Sequence, residues 1–301
     1  MDIDLLNVAM DLGAGRRGTD MGPSAMHVAG LVPRLRGLGH TLHGVQDVKV
    51  CTAETATVCD ERLRYLPQIT ATVARLADQV EASCEAGRFP LVLGGDHALA
   101  IGTITGLSRF WRRRGRRIGV VWVDAHTDMN TPSSTPSGNI HGMPLAVLLG
   151  HGPSELVALA GDAPALDPRD VAIVGARSVD AAESPLVRAL GVRVYTMSEL
   201  DRRGTATCVA EAFSRVLADT AGVHLSFDLD GVDPNDAPGV GTPVPGGLSL
   251  RESHLLCETA AQSGRLLGME VVELNPTLDT RNKTGQLAVW LIESALGRTI
   301  L

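Results

Sequence analysis

Two short runs, Asp124-Ala-His126-Thr-Asp128 and Asp228-Leu-Asp230, put carboxylates and an imidazole at every second position directly after the apolar segments Ile118–Val123 and Gly222–Phe227. In an extended chain, side chains at i, i+2 and i+4 point the same way, so each run is expected to aim its ligands at one point. Carboxylates that end a buried strand are costly unless positive charge meets them. A third segment, Leu91-Val-Leu-Gly-Gly-Asp96-His97, ends in a glycine pair, an acid and an imidazole, and glycine there allows a tight turn and close backbone approach. His97, Asp124, His126, Asp128, Asp228 and Asp230 form a candidate ligand set for divalent metal. The four ionised carboxylates in it are balanced by two divalent cations and not by one. Mostly oxygen ligands with some imidazole suit Mn²⁺ better than zinc. Two such ions roughly 3.5–4 Å apart share a water and lower its pKa. The opposing reading takes these residues as turn and capping aspartates beside satisfied histidines. It suits any one of the six better than all six together.

Such residues need strands to carry them. β-like runs recur at Leu5–Met10, Val45–Val50, Pro90–Leu93, Ile118–Val123, Asp170–Val174, Val192–Tyr195, Val223–Phe227 and Leu267–Val272. Most are continuously apolar, as strands of a parallel sheet covered on both faces are. Helical spacing of apolar residues marks Glu61–Ala86, Leu250–Ser263 and Thr284–Leu296. Alternating strand and helix predicts a doubly wound α/β sheet. Two Pro/Gly/Ser/Thr-rich stretches, Thr131–Asn139 and Pro234–Gly247, follow the aspartate runs and read as functional loops at the carboxyl ends of strands. No linker or repeat divides the chain, so residues 1–301 are expected to form a single domain.

Composition narrows the class. With 44% hydrophobic and 20% charged residues and a net charge of −7, the chain reads as globular, with neither nucleic acid nor an anionic membrane as its main partner. The five cysteines are scattered and form no C-x-x-C pair, which argues against a disulfide framework or zinc knuckle. No signal-peptide pattern or apolar run of membrane-spanning length is seen, and a cytoplasmic location is expected.

At these residues the chain resembles the arginase, or ureohydrolase, family. Gly94-Gly-Asp-His97, Asp124-Ala-His-Thr-Asp128 and Ser226-Phe-Asp-Leu-Asp-Gly-Val-Asp-Pro234 are similar to its three metal-binding signatures. The likeness runs from Arg16-Arg-Gly-Thr-Asp-Met-Gly-Pro23 to Glu273-Leu-Asn-Pro276 and the last helix. It implies a three-layer α/β/α fold with an eight-stranded, mainly parallel sheet and two Mn²⁺ per subunit. His97, Asp124, Asp128 and Asp228 are then implied as ligands of one ion. His126, Asp124, Asp228 and Asp230 are implied for the other, with Asp124 and Asp228 bridging. The implied reaction is attack of a metal-bridging hydroxide on L-arginine, giving L-ornithine and urea. His141 as proton shuttle, Glu273 as guanidinium carboxylate and Asp128 are the residues implied for catalysis. Asn130, Ser137 and Asn139 are implied at the substrate carboxylate, Asp180 and Glu183 near its α-amino group, and Thr242 in the loop beside the metals. A homo-oligomer, hexamer or trimer, follows from the same likeness. One departure is Ala98, where the family usually has serine.

Agmatine or a guanidino acid as substrate, and a non-catalytic metal-binding paralogue, are the competing readings. Two motifs point elsewhere. Gly13-Ala-Gly15-Arg-Arg-Gly18 spells G-x-G-x-x-G after an apolar strand, but lacks the acid roughly 20 residues on that a dinucleotide fingerprint needs. A loop at the substrate entry or a subunit contact is expected instead. The basic run Arg109–Arg117 is expected to be a helix end and solvated turn, not a nucleic-acid patch.

Overall fold

The computed structural model describes residues 1–301. Eight strands, β1 (Asp2–Val8), β2 (Thr41–Asp47), β3 (Phe89–Gly94), β4 (Arg117–Val123), β5 (Val171–Ala176), β6 (Arg193–Thr196), β7 (Thr220–Asp228) and β8 (Leu266–Val272), form one sheet in the order β2-β1-β3-β8-β7-β4-β5-β6. Every pairing is parallel.

Strand periodicity divides the core into two halves. Leu91 and Leu93 of β3, Val121 and Val123 of β4, and Leu225 and Phe227 of β7 face the helices Thr205–Leu217, Leu250–Gln262 and Lys283–Ala295. Val92, Val120 and Trp122 face the helices Leu66–Glu85 and Ala100–Arg112 on the other side. The result is three layers with both faces of the sheet covered, which is why the central strands read as unbroken apolar runs. After β3 the chain crosses over to β4, and β7 and β8 later return to fill the gap. The four adjacent central strands β3, β8, β7 and β4 therefore deliver their carboxyl ends to one crevice, as open α/β sheets do where strand order switches.

Element boundaries moved where local chemistry overrides periodicity. The expected helix from Glu61 begins at Leu66, because Tyr65 sits in the left-handed region (φ 57°) and Pro67 opens the first turn. β2 lies earlier than expected because it is an edge strand, largely solvent-exposed, and carries little apolar signal. Of the helix Ala100–Arg112 only its end, in the basic run, is expected from sequence. Gly102, Thr103, Thr105 and Gly106 weaken its intrinsic propensity, and packing supplies what propensity does not.

Both decoys resolve structurally. The Gly13–Gly18 segment leads into a short 3-10 turn, Thr19–Met21, and not into a helix that could cap a pyrophosphate. In the basic run, Arg109 donates to Asp78 (3.0 Å), Arg113 pairs with Glu81 and Glu85, and Arg117 binds Asp170 (2.6 Å). Arg112 and Arg116 donate to backbone carbonyls, and Arg114 lies 3.6 Å from the Phe110 ring centroid. These arginines brace the helix pair and the amino-terminal ends of β4, β5 and β7. No helix is long and apolar enough to cross a membrane.

Candidate metal centre

The three signatures share one local device. Asp124 Oδ1 accepts the backbone N–H of His126 (2.6 Å), Asp228 Oδ1 that of Asp230 (2.7 Å), and Asp96 Oδ1 that of Ala98 (3.0 Å). Each aspartate closes its own turn with one oxygen. The extended-chain expectation fails here: β4 stops at Val123, Asp128 adopts a left-handed backbone (φ 51°), and Asp230 sits in a 3-10 turn. The residues converge because the turns fold back over the strand ends, not because an extended strand aligns them.

They converge on two points. His97 Nδ1 lies 3.2 Å from Asp124 Oδ2, 3.1 Å from Asp128 Oδ2 and 3.1 Å from Asp228 Oδ2. His126 Nδ1 lies 3.2 Å from Asp124 Oδ1 and 3.2 Å from Asp230 Oδ2. Asp124 thus turns one oxygen to each group, and the two candidate sites are His97-Asp124-Asp228 and Asp124-His126-Asp230. Ligands about 2.1 Å from one ion at right angles are about 3 Å apart, so these separations suit donors around small divalent cations. His97 Nδ1 is buried and has no hydrogen-bond partner, as a nitrogen kept for a cation would be. The residues present fit a metal pair.

Packing behind the ligands sets their orientation. With a cation held at Nδ1, His97 would carry its remaining proton on Nε2 and donate it to Ser226 Oγ, which lies 2.8 Å away. Its ring stacks on Trp122 at 4.1 Å, and Trp122 Nε1 donates to Asp124 Oδ2 (2.9 Å). Trp122 and Ser226 are cross-strand partners in β4 and β7, each two residues before a ligand and so on the same face. Neither was singled out from sequence, although that spacing is the signal that identifies them. Trp122→Phe keeps the stack and deletes the donor to Asp124. We expect Mn²⁺ affinity to fall about tenfold, read by calorimetric titration; unchanged affinity would show that this hydrogen bond does not tune the ligand.

Arg177 was also missed. It spreads its guanidinium over the carbonyls of Asp230 (2.7 Å), Gly231 (3.2 Å) and Val244 (2.6 Å), tying the Asp230 turn to the loop carrying Thr242. Thr242 Oγ1 in turn donates to Asp230 Oδ2 (2.9 Å).

Burial by itself lowers the His126 pKa, but hydrogen bonds and charge from Asp124 and Asp230 outweigh it and push it up to about 12. Without a cation, His126 keeps its proton throughout the neutral range, and a metal must displace it. Binding is therefore expected to release protons and to weaken as pH falls. Calorimetry in buffers of different ionisation enthalpy reads the proton count, and binding without proton release would contradict the assignment.

Beside the metal ligands, Glu273 adopts a left-handed backbone (φ 65°) that bends its carboxylate into the crevice. Its N–H donates to the carbonyl of Gly95 (2.8 Å). Gly95 is required at this crossing, because a Cβ there would stand 1.7 Å from the Met10 carbonyl. Glu273 Oε1 accepts the His97 backbone N–H (2.9 Å) and faces His141 Nδ1 (3.0 Å). Glu273 Oε2 is buried and unpartnered.

The cleft above is lined almost wholly by polar and charged residues, including His126, Asp128, Asn130, Ser137, Asn139, His141, Asp180, Glu183 and Thr242. Asn130 Nδ2 donates to Asp180 Oδ2 (2.9 Å), whereas Ser137 and Asp180 are exposed at the mouth. Glu183 differs from expectation. It is buried, and its oxygens accept from Thr127 Oγ1, Met129 N (2.6 Å) and Asp180 N (3.2 Å). It holds the Asp180 loop against the β4 loop and offers no free oxygen pair to a ligand. Ala98 is fully buried, and its backbone N–H serves Asp96.

The profile of the arginase family matches residues 1–297. The Bacillus subtilis arginase is 48% identical over 299 residues, covering 99% of both chains. The crystal structure of the Bacillus caldovelox arginase superposes with a TM-score of 0.94 at 46% identity over 99% of both chains. That of the Entamoeba histolytica arginase in complex with L-ornithine gives 0.89 at 31% identity, again over 99% of each. End-to-end similarity at this level, on a sheet whose central strand ends gather the ligand residues, shows that the chain belongs to the arginase family.

Proposed function

We propose that the chain hydrolyses L-arginine to L-ornithine and urea, using two Mn²⁺ held by His97, Asp124, His126, Asp128, Asp228 and Asp230. The observation that carries this reading is Asp124, which turns one oxygen to each imidazole group, beside the buried unpartnered Glu273 Oε2. When bound, a divalent pair supplies the Lewis acidity that makes hydroxide from water near neutral pH.

The chain's own residues supply the rest. Glu273 Oε2 is a buried anionic oxygen in need of a cation, and a guanidinium N–H answers it. Glu273 Oε1 orients His141 through Nδ1, which leaves Nε2 for the cleft. Breaking the Cζ–Nε bond of arginine releases a primary amine that needs one proton, and His141 is placed to give it. Amide and hydroxyl donors of Asn130, Ser137 and Asn139 suit the substrate carboxylate, and Asp180 suits its α-ammonium. Glu183 acts by holding Asp180 in place, and Thr242 by orienting Asp230. The Entamoeba histolytica relative was crystallised with L-ornithine, the product this reading requires. We extend the proposal to a single catalytic domain over residues 1–301, a homo-oligomeric assembly and a cytoplasmic location.

A panel of guanidino compounds assayed for urea under controlled Mn²⁺ tests the substrate. L-Arginine is expected to show the highest kcat/KM. Preference for agmatine would transfer the chain to another ureohydrolase activity, and bound metal without turnover of any compound would make it a non-catalytic paralogue.

A further inference from the structure

Among the residues lining the cleft and its extension past His126 and His141, Arg16 is the only arginine or lysine. It is exposed and makes neither a hydrogen bond nor an ion pair. Its neighbour Arg17 is occupied, donating to Asp11 Oδ2 (2.6 Å) and Glu54 Oε1 (2.7 Å).

The backbone that presents Arg16 is pinned on both sides. Gly13 N donates to Asp96 Oδ2 (2.8 Å), and the Gly13 carbonyl accepts the His141 N–H (3.1 Å). Beyond Arg16, Gly18 N donates to Asp11 Oδ2 (3.1 Å), and the Arg17 carbonyl accepts Asn275 Nδ2 (3.0 Å). Gly15 packs against Asn139 so closely that a Cβ would stand 2.8 Å from its Nδ2. One free guanidinium is thus carried on a fixed loop at the rim of a cleft whose other charged groups, apart from the histidines and the ligand aspartates, are Asp180, Glu183 and Glu273.

We propose that Arg16 is a specificity-determining residue that favours guanidino substrates bearing a carboxylate over those ending in an amine or amide. This rests on the hydrolase reading above. Without Arg16 the exposed charge at the mouth is that of Asp180, which draws in any cation, with or without a carboxylate. With it, a carboxylate-bearing tail is attracted and a purely cationic tail repelled. A rim charge of this kind acts mainly through encounter and substrate affinity, and salt screens it.

The test compares L-arginine with L-argininamide, which keeps the α-ammonium and replaces the carboxylate by a neutral amide, in the Mn²⁺-loaded wild type, Arg16→Gln and Arg16→Glu. If the amide turns over slowly, its Ki as a competitor supplies the same ratio. The arginine-to-argininamide ratio of kcat/KM is expected to fall about three- to fivefold in Arg16→Gln and further in Arg16→Glu, through KM, with the difference shrinking at high salt. Equal changes on both compounds, or no change, overturn the role of Arg16 and leave the hydrolase reading standing. Absence of urea from the wild type with any guanidino compound overturns both.

Discussion

Asp124→Asn is expected to abolish stable binding of both cations and to lower turnover on the order of a thousandfold or more. Asp124 is the residue whose two oxygens face His97 and His126 separately, at 3.2 Å each. An amide keeps the shape and one acceptor but removes the charge that both positions draw on. Water then loses most of the acidification that a bound metal pair would supply. The metal-free fold should suffer as well. Burial alone would raise the Asp124 pKa, but hydrogen bonds and charge from His126 and His97 outweigh it and hold the carboxyl well below its usual range, so its charge stabilises the fold and the apo variant is expected to melt below the wild type. It also loses the extra stability that added Mn²⁺ gives the wild type, about 4 kcal/mol at a thousand times Kd. Metal content by atomic absorption and melting curves with and without Mn²⁺ read both effects. Full occupancy in the variant would show that Asp124 is not shared.

His141→Asn is expected to lower kcat roughly 10²–10⁴-fold while leaving metal content near that of the wild type. The ring binds Glu273 and belongs to neither ligand group. Its pKa is the balance of burial, which lowers it, and the hydrogen bond and charge of Glu273, which raise it to about 9. Because the folded-state value lies above the ordinary 6.5, the proton is bound through the neutral range. The stabilising pairing with Glu273 is complete below about 6.5 and is lost as pH rises through about 9. The same sign governs catalysis by an acid. The rate limb that depends on protonated His141 should fall on the alkaline side, with bound cations drawing its midpoint below 9. That limb should vanish in His141→Asn. Loss of Mn²⁺ from this variant would show that His141 has been misassigned.

Much of this site was legible in the sequence, and the reason is physical. Ligand residues must be charged, must lie next to apolar strands, and must occur together, so Asp124-x-His126-x-Asp128 and Asp228-x-Asp230 stand out against their surroundings. Alignment along an extended strand nevertheless does not explain their convergence. Strand periodicity ends at Val123, and Asp128 reaches the centre through a left-handed backbone that no pattern of residue types announces. Period two succeeds one step earlier, where it places Trp122 and Ser226 behind the ligands. Glu183 shows the opposite failure. Its type fits an ammonium partner, but its oxygens are spent on Thr127, Met129 and Asp180, and only the three-dimensional contacts reveal that. Arg177 binds carbonyls, which every residue has, so sequence holds no trace of its partners.

The fold followed a similar division. Central strands buried on both faces were plain, whereas the exposed edge strand β2 and the glycine- and threonine-bearing helix Ala100–Arg112 depend on tertiary neighbours that local patterns do not encode.

Central to the account is that a shared-aspartate pair of cations and the chain's own acid and carboxylate together hydrolyse L-arginine. The most direct measurement is urea and L-ornithine release from L-arginine by protein stripped with a chelator and then reloaded stepwise with Mn²⁺. The account predicts no release from the stripped protein, and equimolar urea and ornithine whose rate rises with occupancy to a plateau at two ions per chain. Protein carrying two Mn²⁺ per chain that forms no urea, or stripped protein that forms it at the full rate, would contradict it.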